Sequence, residues 1–159
     1  NSKNRREKKM NKPFHQGSYQ ERYVHMGDEA ESAFEERNES WVRYGLNRPP
    51  FHIHKMPLGV RYTPDYLQGN PQRLVEVMGM GKTPLKLKLK KISALSWWDH
   101  SGMDLYFWIW SSTRQNFAEL KYSEMLNIIN KEDAPLGKFP EGKAFFSISS
   151  KLLPWDNGQ

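Results

Sequence analysis

With 159 residues, 37% of them hydrophobic and 13% aromatic, the chain has the size and apolar content of one folded domain, which argues against wholesale disorder. No run approaches the roughly 18 apolar residues of a membrane span, and the basic, polar start is not typical of a secretory signal. The absence of cysteine excludes disulfides and cysteine-ligated zinc and suits the cytoplasm. The net charge is +6, and five of these positive charges lie in the first dozen residues.

The first 26 residues are predicted to form a basic, flexible arm before the folded core. Its charged side chains include Arg5, Arg6, Lys8 and Lys9. Such an arm binds polyanions loosely and in a salt-dependent manner, and the alternative is a solvated terminus without a partner. We expect the arm to supply affinity for nucleic acid and to take no part in chemistry.

A helix is predicted to open at Asp28, which is a competent N-cap with Glu31 three residues later, and to end at Gly45. Three strands are then expected in tight succession, over about residues 51–56, 60–67 and 73–78, with a turn at 69–71. His52 and His54 share one face of the first strand. The alternatives for them are metal binding, DNA contact and an ordinary surface position, and the last is favoured.

A second helix is predicted from Thr83 as N-cap and Pro84 as first helical residue. Leu85, Leu87 and Leu89 also alternate as a strand would, but the helical series continues to Trp98, which favours the helix. A strand over 103–110, a helix over 117–130 and a short strand over 144–149 follow. The strand-helix-strand order predicts that the strand at 103–110 runs parallel to the third strand. The expected division is an arm at 1–26, an α/β core with a mixed central sheet at 27–112, and an extension at 113–159 packed on it.

Two carboxylates stand out against this scaffold. Asp65 follows Pro64 at the end of the second strand, and Glu76 lies inside the apolar third strand between Val75 and Val77. A charge within an apolar strand is unfavourable unless it is paired or bound to a metal, and neighbouring strands lie about 4.8 Å apart. Two close acids raise each other's pKa, and a divalent cation relieves their repulsion. The pair therefore predicts a Mg²⁺ or Mn²⁺ site.

The segments Tyr62–Leu67 and Leu74–Gly79, with the element order, resemble the PD-(D/E)xK nuclease superfamily, whose restriction-endonuclease-like core is α-β-β-β-α-β. The first segment is most similar to phage and archaeal junction-resolving endonucleases, and the resemblance covers residues 27–110. It implies a metal-dependent DNA endonuclease or exonuclease in a bacterial or phage-infected cell, with Asp65 and Glu76 as catalytic metal ligands. The family's helix glutamate falls on Glu31, with Glu35 as the second choice.

One position departs from the family pattern, because the motif lysine falls on Met78. Lys82, Lys86 and Lys90 form a row at helical spacing on the second predicted helix, and Lys86 is the candidate substitute in catalysis, with the row contacting DNA. The alternative is that this row is a solvated helix face. A catalytically silent nuclease fold that binds DNA or serves a structural role is the rival function, an RNA-binding module is weaker, and a homodimer is left open.

Overall fold

The computed structural model describes residues 16–46, 55–131 and 134–158, with side chains from residue 25 onward. The basic residues Arg5, Arg6, Lys8 and Lys9 lie outside the described residues, as do His52 and His54 of the first predicted strand. The expectations for these side chains therefore stay predictions.

The described residues form helices and strands, with a 3-10 turn at Ser150–Leu152. The helices are α1 (Gln16–Arg37), α2 (Leu58–Arg61), α3 (Leu89–Asp99) and α4 (Tyr122–Lys131). The strands are β1 (Trp41–Arg43), β2 (Tyr66–Gly69), β3 (Gln72–Met80), β4 (Leu85–Lys88), β5 (Leu105–Ser111), β6 (Asn116–Lys121), β7 (Leu136–Lys138) and β8 (Ala144–Ile148).

The central sheet has five strands in the order β1-β2-β3-β5-β6. Strands β3 and β5 run parallel, with Glu76 beside Phe107, and the other neighbours are antiparallel. The mixed α/β class and the parallel crossover from β3 through α3 to β5 are confirmed. A second, three-stranded sheet has the order β4-β8-β7.

Side chains from the central sheet enter two separate cores. On one face α1 buries Ala30, Ala33 and Phe34 against Val75 and Trp108. On the other face the sheet packs against α3, α4 and the small sheet, in a core that includes Leu74, Leu95, Phe107 and Ile148. Strand β3 is buried on both faces, as its apolar sequence predicts.

The first helix differs from the prediction at both ends. It begins at Gln16, so it reaches into the expected arm and Asp28 lies inside the helix instead of capping it. A single interior glycine at position 27 costs only about 1 kcal/mol and does not stop the helix. The helix ends at Arg37, where the side-chain amide of Asn38 donates to the Phe34 carbonyl. Ser40 then takes a φ of 57° and the chain reverses into β1.

Two further predictions are wrong in part. Residues 58–61 are helical and the second strand begins only at Tyr66, because α2 is held on α3 by a hydrogen bond from Trp98 Nε1 to the Gly59 carbonyl. The predicted helix at 117–130 begins at Tyr122, since residues 116–121 pair with β5. Strand β3 and the strands at 105–111 and 144–148 agree with the sequence.

The segment after Thr83 is a strand and not a helix. Leu85 and Leu87 are both buried and pair with β8, so their alternation indicates the true structure of this stretch. The helix starts only at Leu89. Lys82 precedes β4, Lys86 belongs to β4 and Lys90 to α3, so the predicted helical row of lysines does not exist.

Candidate active site

Asp65 and Glu76 are cross-strand neighbours at the start of β2. Tyr66 pairs with Val75, and continuing that antiparallel register places Asp65 opposite Glu76. The backbone carbonyl of Asp65 accepts hydrogen bonds from Tyr44 N at 2.9 Å and Gly45 N at 3.2 Å. Its side-chain Oδ2 accepts another from Val77 N at 2.8 Å. These contacts hold the Asp65 carboxylate beside that of Glu76.

Glu76 is a buried carboxyl group whose ion-pair partner, the Lys91 amine, lies 4.0 Å away. Its exposed fraction is 5%, and it faces the core that contains Leu74 and Phe107. Burial raises the pKa of Glu76, and the charge of Asp65 raises it further, while Lys91 acts in the opposite direction. The net effect is a pKa well above the ordinary value of 4.5, so the site resists carrying both negative charges.

Lys91 supplies the cation of this site from the first turn of α3. Its Nζ lies 4.0 Å from Glu76 Oε1, and its side chain is 21% exposed. Burial lowers the pKa of Lys91, but Glu76 and Asp65 raise it more, so the net shift is upward. The amine is therefore charged at neutral pH and faces the carboxylate pair.

Lys91 is not among the residues predicted from sequence, because the predicted helix starts five residues too early. With α3 starting at Leu89, Lys91 shares a face with Leu95 and Trp98, which pack on the sheet. The sequence signal for Lys91 is that it lies in the first turn of a helix, on the same face as the apolar residues that pack on the sheet.

Lys86 lies on β4 and its amine contacts aromatic rings of the small sheet. The Nζ atom is 5.3 Å from the ring centre of Phe145 and 5.6 Å from that of Phe139. The helical position that led to Lys86 as the substitute lysine is wrong. Lys86 nevertheless lines the same cleft as Lys91 and Met78.

Arg43 connects the carboxylate pair to α1. Its Nη2 donates to Glu31 Oε1 at 2.9 Å and lies 3.9 Å from Asp65 Oδ1, and its Nη1 donates to the Tyr66 hydroxyl at 3.0 Å. That hydroxyl donates to Glu35 Oε1 at 2.6 Å. Burial lowers the pKa of Arg43, but its hydrogen bond to Glu31 and nearby acids raise it more. Burial and the bond to Glu35 raise the pKa of Tyr66.

The acidic residues suit a magnesium-like ion in part. Asp65 and Glu76 provide two adjoining carboxylates, and Mg²⁺ takes one or two carboxylates and keeps several waters. Glu31, the expected third ligand, pairs with Arg43 instead. Among the described residues no group of three or more His, Cys, Asp or Glu side chains is arranged to hold a metal ion. The predicted set of three carboxylates is thus not assembled here, whereas the pair fits.

A cleft of about 270 Å³ opens beside Lys91. Met78 and Gly79 of β3 form one wall, Lys86 of β4 lies on another, and Met26 of α1 closes the end. A Cβ atom on Gly79 would collide with the Met26 carbonyl, so this close approach of α1 to β3 requires glycine. Lys91 lines this cleft, so a ligand that enters it reaches the amine beside Glu76.

No family model, no curated protein sequence and no solved structure matches the chain. Across the described ranges, no helix has both the length and the apolar character needed to cross a membrane. The argument for function therefore rests on the residues of the site.

Proposed function

We propose that this protein is a divalent-metal-dependent DNA nuclease with a restriction-endonuclease-like core. The observation that carries the proposal is the buried Glu76, placed beside Asp65 with a single lysine at 4.0 Å. A protein does not keep a buried acid beside a second, half-buried acid for stability, because a paired or apolar substitute would be more stable. A buried carboxyl group with a strongly raised pKa, such as Glu76, is a candidate for a functional site.

The arrangement of elements supports the same family. Apart from α2 and β4, the chain from α1 to β5 runs helix, three strands, helix and strand, and the last strand lies parallel to β3. The carboxylates lie where β2 begins and in the middle of β3, at the positions of the Pro-Asp and Glu motifs. The order of elements and the motif positions thus agree with one another.

Asp65 and Glu76 would hold Mg²⁺ or Mn²⁺ through one or both carboxylates. When bound, such an ion lowers the pKa of a coordinated water and stabilises charge on the phosphate under attack. Hydrolysis then adds water across the phosphodiester bond, leaving one phosphate end and one hydroxyl end.

Lys91 supplies the positive charge that the family's motif lysine would provide and that Met78 lacks. Its charged amine faces Glu76 at the edge of the cleft, where it can bind a phosphate oxygen of the substrate. Arg43 is a positioning residue, since it contacts Asp65 and Glu31 and not the cleft. Met78 contributes an apolar wall to the cleft.

A catalytically silent DNA-binding protein is the second candidate, and one observation favours it. The guanidinium of Arg43 neutralises Glu31, so only two carboxylates meet at the site. A site of this composition could retain DNA affinity without turnover.

The deciding experiment is a cleavage assay on linear duplex, single-stranded and four-way-junction DNA, with and without Mn²⁺. We expect metal-dependent cleavage of at least one substrate by the wild type and its loss in Asp65→Asn, which keeps the size of the side chain. Equal cleavage by both proteins would identify a contaminant, and no cleavage by the wild type would favour the silent alternative.

A further inference from the structure

Two clefts share lining residues next to Lys91 and form one groove. The first is the cleft of about 270 Å³ at Lys91. The second, of about 370 Å³, lies between the start of α3 and the turn at Glu141–Gly142 before β8. Tyr62 and Lys88 line both clefts, so the groove runs from Lys91 past Lys88 to Lys143.

The groove carries a strong excess of positive charge. Its lining includes the amines of Lys86, Lys88, Lys90, Lys91 and Lys143. Glu141 is the acidic residue among the lining side chains of the second cleft. Burial lowers the pKa of Lys88, and the neighbouring charges of Lys91 and Lys143 lower it further against the opposing effect of Glu141. Like charges crowded in this way are stabilised by a bound polyanion.

The start of α3 adds further positive electrostatic potential to the groove. The helix has no acidic residue in its first turn, and its N-cap Lys88 makes no side-chain capping hydrogen bond. The positive end of the helix dipole therefore reinforces the lysines where an acid would be the favoured residue. The amines of Lys86 and Lys88 lie 5.6 and 5.7 Å from the ring centre of Phe139, so both lie on the same side of the groove.

We propose that this groove binds the backbone of single-stranded DNA next to the active site, with Lys88 and Lys143 on phosphates and Tyr62 stacking on a base. The inference rests on the proposed function, because Lys91 lines the groove and its amine faces Glu76 of the proposed site. A basic groove with an aromatic side chain along it is the usual means of binding a single strand. The amines of Lys88 and Lys91 are partly buried, so a flexible strand reaches them more easily than the outer phosphates of a rigid duplex.

The test is binding without metal, so that its outcome does not depend on cleavage. Fluorescence anisotropy in EDTA would follow a labelled oligothymidylate of about 20 nucleotides, a length that exceeds one such site. The double variant Lys88→Gln/Lys143→Gln should flatten the dependence of log Kobs on log salt by about 0.7 for each lost contact. The matched double variant Lys131→Gln/Lys151→Gln removes two exposed lysines away from the groove lining and should leave the slope unchanged.

Two further variants keep the test informative. Lys143 is exposed, so Lys143→Gln alone should fold and should reduce the slope by about half as much as the double variant. Tyr62→Leu should weaken binding about tenfold, while Tyr62→Phe, which keeps the ring, should bind like the wild type.

Equal salt slopes for the wild type and the groove double variant would overturn the proposal, as would a blunt duplex of equal length that bound as tightly as the single strand. A wild type that binds through the groove but never cleaves would overturn the nuclease function and leave the groove assignment standing.

Discussion

Strand β3 carries two buried charges, Arg73 near its start and Glu76 three residues later, and their surroundings differ. The guanidinium of Arg73 has a hydrogen-bond acceptor, a carboxylate and an aromatic ring as partners. Its Nε donates to Gln68 Oε1 at 2.8 Å, its Nη1 pairs with the Glu119 carboxylate, and its guanidinium lies 4.8 Å from the ring centre of Tyr106.

Glu76 has a neighbour of its own charge and one amine at 4.0 Å. Both residues are about 5% exposed, so burial alone does not distinguish them. A satisfied buried charge fixes the fold, and breaking it is destabilising. Glu76 adjoins a second acid and its amine partner lies at the outer limit of an ion pair, and we interpret this arrangement as room for a bound cation.

The largest expected effect is on the satisfied cluster. Arg73→Leu should lower the free energy of unfolding by about 3–5 kcal/mol, because it leaves Gln68 and Glu119 without their buried partner. Urea denaturation measures this loss, and Arg114→Leu, at an exposed arginine, serves as the control with a change of about 0.5 kcal/mol or less. A small loss at Arg73 would show that the cluster does not stabilise the fold.

The second prediction compares two lysines that line one cleft. Lys91→Met should lower kcat of metal-dependent cleavage by at least about a hundredfold, because the amine beside Glu76 acts on the transition state. Lys86→Met should leave kcat nearly unchanged and raise KM, since that amine lies over Phe139 and Phe145. Steady-state kinetics separates the two effects, and the reverse result would restore Lys86 as the substitute lysine.

The third prediction uses the titration of Glu76. Its pKa is raised in the folded protein, so its contribution to stability is present below the unfolded value of about 4.3 and is lost as pH rises through the folded value. Gln cannot titrate, so the stability of Glu76→Gln relative to the wild type should grow as pH rises above about 4.3 and then level off. Urea denaturation across this range measures the difference. A constant difference would mean that Glu76 does not titrate differently in the two states.

The strands and the acids of the site could be predicted because their signals are local. Apolar runs indicated β3 and β5, and the strand-helix-strand order indicated their parallel pairing. Glu76 could be identified because it lies between two valines in an apolar strand. Asp65 could be identified because it lies on the neighbouring predicted strand.

The cations of the site depend on where elements change, which the sequence does not mark. No glycine or proline separates β4 from α3, so alternation at Leu85 and Leu87 merged with the helical series that follows. Because the predicted helix began too early, Lys91 was not placed in its first turn and was not considered for the site. Likewise Arg43 was expected within the first helix, although β1 carries it beside Tyr66 and Asp65.

The central claim is that the Asp65–Glu76 pair is unfavourable until a divalent cation binds. The most direct test is unfolding of the wild type and Glu76→Gln at about pH 7, with and without Mn²⁺. Without metal, Glu76→Gln should be more stable by on the order of 1 kcal/mol, since it removes the repulsion between the adjoining Glu76 and Asp65 carboxylates. Mn²⁺ at about one hundred times its dissociation constant should stabilise the wild type by about 2.7 kcal/mol and leave the variant unchanged. A metal-free variant less stable than the wild type, or equal stabilisation of both proteins by Mn²⁺, would contradict the claim.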